Sequence, residues 1–191
     1  MAVVKISPMK ITGPWTDGRV LDFHTVSSTW TGDPYRYDTK RTELGDRVYG
    51  LKYSGASGFI PDIVDTAEAF VREWKPEVDC VVPAPPSRSR NSQPVVEIAR
   101  ALATHLSLPS CENALVKVEA TPQMKNIREW SEREKLLRKA IQAGPANLRG
   151  QSILLIDDLI QSGSTLQRAA EVLLNDLGAR AVYALVLTRT R

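Results

Sequence analysis

The sequence predicts an α/β fold: a mainly parallel sheet with helices on both faces, preceded by a β-rich N-terminal hood. Two observations predict the sheet. A continuous apolar run at residues 153–156 and largely apolar runs at 78–83 and 181–188 suit strands buried on both faces. Between them lie segments whose apolar residues recur three and four apart, the pattern of amphipathic helices. A third observation predicts the hood, because residues 19–30 and 46–53 are rich in β-branched and aromatic side chains. The expected division is an extension over residues 1–60 and a core over 61–191.

Taken in order, residues 1–18 carry Pro8, Gly13, Pro14 and Gly18 and read as an irregular lead-in. Residues 19–30 alternate as a strand. Gly32, Asp33 and Pro34 mark a turn, and residues 46–53 are expected to return as the second strand of a hairpin. The mixed charges and aromatics of 35–45, between them, read as a surface loop that is also a candidate substrate contact. Small residues at 54–58 break the chain. Pro61 then opens a helix to Trp74, with Ile63, Val64, Ala67, Phe70, Val71 and Trp74 on one side. The strand at 78–83 runs into a stiff turn bearing Arg88 and Arg90. A helix spans 94–106. A short strand at 115–118 precedes a polar loop and then a helix over 131–141, for which Ser131 and Glu134 form a capping box.

The most informative stretch follows. Ile153, Leu154, Leu155 and Ile156 form a buried strand ended by two acids, Asp157 and Asp158. A small polar loop, Gln161-Ser162-Gly163-Ser164-Thr165, leads into a helix with Leu166, Ala169, Ala170, Leu173, Leu174 and Leu177 on one face. Asn175 and Gly178 suit its end. Free N–H groups at a helix start, three hydroxyls and a glycine make an anion-binding turn that needs no lysine. The acids one loop-length away suit sugar hydroxyls or a hydrated Mg²⁺. The implied ligand is a sugar phosphate. The segment has neither the Gly-Lys-Ser/Thr ending of a Walker loop nor three spaced glycines.

Composition bounds the rest. With 191 residues, 42% hydrophobic and 25% charged, the chain has enough apolar material for one globular domain with a core. A net charge of +3 fits a phosphorylated small ligand and argues against direct nucleic-acid binding. No apolar run is long enough to span a membrane, and the first residues lack a secretory signal's apolar core. Cys80 and Cys111 are too few for a disulfide framework. The expected compartment is the reducing cytoplasm. His24 and His105 occur without clustered ligands in the sequence, so no transition-metal site is expected.

The segment from Ile156 to Thr165 resembles the phosphoribosyl pyrophosphate (PRPP) loop of type I phosphoribosyltransferases. The resemblance implies that Asp157 and Asp158 contact the ribose while Gln161, Ser162, Gly163, Ser164 and Thr165 hold the 5′-phosphate. It assigns pyrophosphate binding to Pro83, Ala84, Pro85, Pro86, Ser87, Arg88, Ser89 and Arg90. Arg88 joins the two acids as a catalytic candidate. A flexible catalytic loop belongs in the interval before the PRPP strand, which makes Lys117, Lys125, Arg128 and Arg133 its candidate cations. Mg²⁺ is the implied cofactor, reached through PRPP and water rather than through direct protein ligands, near Asp157 and Asp158. The chain looks closest to ComF-like members. Residues 81–90, Thr121-Pro122-Gln123 and Leu51-Lys52-Tyr53 carry that likeness, although the four-cysteine zinc ribbon of many such proteins is absent from this sequence.

The implied reaction transfers phosphoribosyl from PRPP to a nitrogenous base, in nucleotide salvage or related metabolism, with a homodimer as the implied assembly. Gln161 stands where enzymes for 6-oxopurines commonly carry an Asp, so that acceptor class is disfavoured. Two other readings stay open: a non-catalytic sensor of PRPP or nucleotide, and a ComF-like accessory of DNA uptake.

Overall fold

The computed structural model describes residues 3–33, 37–53, 56–86, 93–118 and 140–191. Its centre is a five-stranded sheet in the order β1-β2-β9-β8-β5. The strands are β1 (Met9–Lys10), β2 (Asp17–Phe23), β5 (Cys80–Pro83), β8 (Ser152–Ile160) and β9 (Ala181–Arg189). β2, β9, β8 and β5 run parallel, and β1 is an antiparallel edge. Two small antiparallel pairs stand apart. β3 (Thr25–Trp30) joins β4 (Tyr37–Arg41), and β6 (Leu115–Lys117) joins β7 (Ile141–Ala143).

Strand alternation divides the core into two layers. Val20, Cys80, Val82, Ile153, Leu155, Val182, Ala184 and Val186 face one side. There they meet Leu166, Ala169 and Ala170 of helix α4 (Ser164–Glu171). Leu21, Val81, Leu154, Ile156, Leu185 and Leu187 face the other. That side is covered by α1 (Glu43–Tyr53), α2 (Ile60–Trp74) and α3 (Pro94–Leu106). The four residues from Ile153 to Ile156 are fully buried, each contributing about 1.5–3 kcal/mol by leaving water. A strand covered on both sides has no polar face, which is why its sequence reads as an unbroken apolar run. Among the described residues, no helix is long and apolar enough to cross a membrane.

The helices expected from Pro61 and over 94–106 correspond to α2 and α3. Their outer faces are tied by charge: His105 Nδ1 lies 2.8 Å from Glu68 Oε2 and 3.9 Å from Asp65 Oδ1, and Arg72 Nε donates to Glu68 Oε1 at 2.8 Å. His105 is thus clustered with two acids, which sequence spacing concealed because the partners sit on a different helix. α4 ends in a wider turn over Val172–Asp176, where Leu177 N–H donates to the Val172 carbonyl at 3.0 Å.

The N-terminal region differs most from expectation. The strand read at 19–30 is two strands in two sheets. Its apolar half, with Val20 and Leu21, is buried in the parallel sheet as β2, whereas β3 is almost wholly exposed. β3 pairs with β4, inside the segment read as a loop, and residues 46–53 are helix rather than strand. The helix wins because Leu44, Val48 and Leu51 fall four and three apart and bury together. Thr42 caps it, its Oγ1 accepting from Gly45 N–H at 3.0 Å and donating to the Phe23 carbonyl at 2.6 Å. Ile141, expected to end a helix over 131–141, begins β7; the rest of that helix up to residue 139, and most of the loop before it, lie outside the described residues. β8 continues through both acids to Ile160, because β9 stays paired with it as far as Arg189.

α1 packs closely against the end of β2. A Cβ added to Gly45 would collide with the His24 backbone carbonyl. Gly→Ala inside a helix normally stabilises by about 1 kcal/mol. Here overpacking reverses the sign, and Gly45→Ala is expected to lower stability by about 2 kcal/mol in urea denaturation.

Candidate functional site

Two parallel strands bring the two loop regions of the site together. Pro83 at the end of β5 is paired with Ile156 of β8, and Ala84 N–H donates to the Ile156 carbonyl at 2.8 Å. The chain leaving β5 through buried Pro83, Ala84 and Pro85 therefore starts beside Asp157. Ligands of open α/β sheets bind in this place, beyond the carboxyl ends of the strands. Of the residues expected to bind pyrophosphate, Ser87, Arg88, Ser89 and Arg90 lie outside the described residues, as do Lys125, Arg128 and Arg133 of the loop candidates. Lys117 is described: it sits on β6, and burial lowers its ammonium below the usual lysine range.

Because β8 extends past the acids, alternation sends the two carboxylates to opposite faces. Asp157 is registered with Val186, which belongs to the α4 layer. Asp158 faces α1, where Lys52 Nζ donates to both its oxygens at 3.1 and 3.0 Å. Asp157 has a backbone donor instead: the N–H of Asp158 reaches its Oδ1 at 2.9 Å. Burial, with the Asp158 charge adding to it, pushes the Asp157 carboxyl up to about 7; the Asp158 N–H and Lys52 pull the other way. Asp158 is paired with Lys52, whereas Asp157 is paired with no cation among the described residues.

Beyond Ile160 the chain turns through Gln161, Ser162 and Gly163. Gly163 has φ +80°, a left-handed backbone that favours glycine. Its carbonyl accepts from Gln167 N–H at 2.9 Å, so it sits at the N-cap of α4, where it supplies no side-chain cap. The N–H groups of the first turn therefore lack an intrahelical acceptor and point out of the helix start. Ser162 Oγ and Ser164 Oγ lie 3.1 Å apart. Gln161 and Ser162 are exposed, Thr165 is half-buried, and Ser164 belongs to the first helical turn rather than to a free loop. This turn and Asp157 belong to the α4 side of β8.

The strand ends beside Asp158, and α1, hold groups that sequence reading missed. His24 Nδ1 lies 3.1 Å from Thr188 Oγ1, and Thr188 Oγ1 donates to the Asp158 carbonyl at 3.1 Å. Burial, then the charges of Arg41 and Lys52, hold His24 below the usual histidine range against the pull of Asp158. Lys52 had a detectable signal: read as a helix, residues 43–53 place it one turn after Val48, beside Leu51. Reading the segment as a strand hid that face.

An apolar strand, a split acid pair, a left-handed glycine and a helix start meet at the carboxyl end of this α/β sheet. The description "phosphoribosyl transferase domain" names the family whose model matches residues 95–191, just over half of the chain. The chain belongs to that family. A ribose-phosphate pyrophosphokinase of Pyrococcus furiosus is 30% identical over a 106-residue alignment that covers 51% of this chain and 37% of that protein. The chain thus matches well under half the length of this curated relative. A solved structure described as the allosteric regulatory enzyme of purine biosynthesis shares the fold, with a TM-score of 0.51 and 17% identity over 81% of this chain and 34% of the other. Adenine phosphoribosyltransferase of Saccharomyces cerevisiae superimposes with a TM-score of 0.48 and 15% identity over 84% and 83% of the two chains.

Two outcomes follow from the acid pair. An Asp whose folded-state pKa is raised holds its proton in the native chain while the unfolded chain has already lost it. Stability therefore falls as pH rises from about 4 to about 7. Asp157→Asn keeps the oxygen that accepts from Asp158 N–H and removes the charge, so its melting temperature at pH 8 should exceed that of the wild type by about 3 °C or more. The gap should close by pH 4. In Lys52→Met, carboxylate NMR should show Asp157 titrating at higher pH than in the wild type, since the Lys52 charge lowers it.

Proposed function

We propose that this chain is a phosphoribosyltransferase that binds PRPP with Mg²⁺ and transfers its phosphoribosyl group to a nitrogenous base other than a 6-oxopurine. The observation that carries the reading is the Asp157 carboxylate, paired with no cation among the described residues, on the same side of β8 as a glycine-capped helix start. The two groups match the two halves of a ribose 5-phosphate, hydroxyls on the acid and phosphate on the N–H groups of the turn.

In this reading Ser162, Gly163, Ser164 and Thr165 hold the 5′-phosphate, with Gln161 at the entrance. Asp157 accepts from ribose hydroxyls. Asp158, held by Lys52, is the second, charge-neutralised contact. Pro83, Ala84, Pro85 and Pro86 lead into the pyrophosphate-binding segment, where the family resemblance puts Ser87, Arg88, Ser89 and Arg90. Asp157 and Asp158 would hold Mg²⁺ through PRPP and water, without the dedicated protein cage that Mg²⁺ rarely uses. When bound, Mg²⁺ supplies neutralisation of the pyrophosphate. The base nitrogen forms a bond to ribose C1 as the C1–oxygen bond breaks, and pyrophosphate leaves with the electron pair. The protein's part is to align the two reactants and to place negative charge near the cationic ribose.

The β3–β4 ribbon and α1 form the acceptor side, so residues 1–60 serve as the extension and 61–191 as the core, with β2 lent to the core sheet. A ComF-like kinship, a cytoplasmic setting and a homodimer complete the proposal; direct nucleic-acid binding is no part of it.

Calorimetric titration with PRPP, with and without Mg²⁺, tests the reading. Mg²⁺-dependent binding is expected, weakened roughly tenfold or more in Asp157→Asn/Asp158→Asn. Absence of binding by the folded wild type overturns it. Binding without pyrophosphate release across a panel of bases assigns the chain a regulatory role instead.

A further inference from the structure

We propose that Arg41 recognises a carboxylate on the acceptor, so that the base is an acidic nitrogen heterocycle. The proposal rests on the phosphoribosyltransferase reading and deepens its acceptor side. Arg41 ends β4, paired across the ribbon with Thr25 and adjacent to Thr42, the cap of α1. Its guanidinium stacks on the Tyr49 ring, 3.5 Å from the centroid. Stacking fixes the plane of the group and leaves its in-plane N–H donors for a planar partner. Nε is buried and has no hydrogen-bond partner among the described residues. A buried donor without a partner is uncommon in folded proteins and calls for an explanation.

Nearby carboxylates are otherwise engaged. Asp158 is held by Lys52. Asp22 accepts from Phe23 N–H at 2.8 Å and interacts with the Thr42 side chain, and burial raises its carboxyl above the usual range. Burial, then the charges of Arg41 and Lys52, hold His24 below the usual histidine range. Arg41, stacked on Tyr49, thus presents a positive, aromatic-backed edge whose natural complement is a planar anion. Its location separates it from the phosphate turn. Tyr49 and Lys52 are both on α1, on the Asp158 side of β8, whereas the turn and Asp157 are on the α4 side. His24 and Thr188 link this edge to Asp158. An anion held here sits across the sheet end from the 5′-phosphate, where the incoming base belongs. Bidentate pairing of a carboxylate with the guanidinium edge would satisfy Nε.

The test uses matched acid and neutral probes: benzoate and benzamide, pyridine-3-carboxylate and pyridine-3-carboxamide, and 2,4-dioxopyrimidine-6-carboxylate and uracil. Each is titrated into the full chain, alone and with saturating PRPP and Mg²⁺. At least one acid should bind roughly tenfold or more tightly than its neutral partner. Arg41→Gln should abolish that preference while PRPP affinity changes by less than about twofold. Arg41→Lys, which keeps the charge and loses the fork, should abolish it too, and this variant decides the matter if Arg41→Gln does not fold. Equal binding of acid and neutral probes, no binding of any acid, or a preference that survives both substitutions overturns the inference. PRPP binding without acid preference sinks this inference alone; loss of PRPP binding sinks the phosphoribosyltransferase reading, and the probes titrated alone still decide the role of Arg41.

Discussion

The pairing of β8 with β9 beyond the end of the apolar run is the constraint on which the site depends. If the ladder stopped at Ile156, the acids would lie in a loop with no fixed direction. Because it continues to Ile160 and Arg189, Asp157 and Asp158 inherit strand geometry and must face opposite sides. The two-layer core then decides what each one meets. α4 and its open first turn lie on one side, and α1 with Lys52 lies on the other. The chemistry of the site follows from register.

The resulting asymmetry is electrostatic. Two adjacent carboxylates in a low-dielectric setting repel each other, and the repulsion falls on whichever lacks a cation. Lys52 settles that choice by pairing with Asp158. Asp157 is therefore the destabilised group in the ligand-free chain, and its cost is relieved by hydroxyl donors or positive charge. Placing an unfavourable group where a ligand will relieve it is a common way for a binding site to differ from the rest of a fold.

Much of this was legible in the sequence. The apolar runs of β5, β8 and β9 are unbroken because those strands are covered on both faces, and a doubly covered strand has one pattern. The helix before β5 was readable from Pro61 and its apolar stripe. What was not legible lies near the N-terminus. Residues 46–53 carry Val48, Tyr49 and Tyr53, which favour strands, yet the Leu44–Val48–Leu51 spacing prevails because it closes the α1–α2 layer over Leu21. With that helix misread, Lys52 and Arg41 had no visible relation to the acids. His24 was hidden because its contacts, Thr188 and the Arg189 carbonyl, are more than 160 residues away in the chain. Long-range pairing leaves no local pattern. The proposed pyrophosphate-binding role of Arg88 rests on the family resemblance alone, since residues 87–90 lie outside the described ones.

The most direct measurement is the number of protons released when PRPP and Mg²⁺ bind near pH 7, obtained by calorimetry in buffers of different ionisation heat. Burial and the Asp158 charge keep Asp157 partly protonated there in the free chain, and in the proposed binding mode it is ionised. The wild type is expected to release more protons on binding than Asp157→Asn. Equal release by the two proteins, with binding intact in both, would contradict the assignment of Asp157 as the acid that receives the ligand.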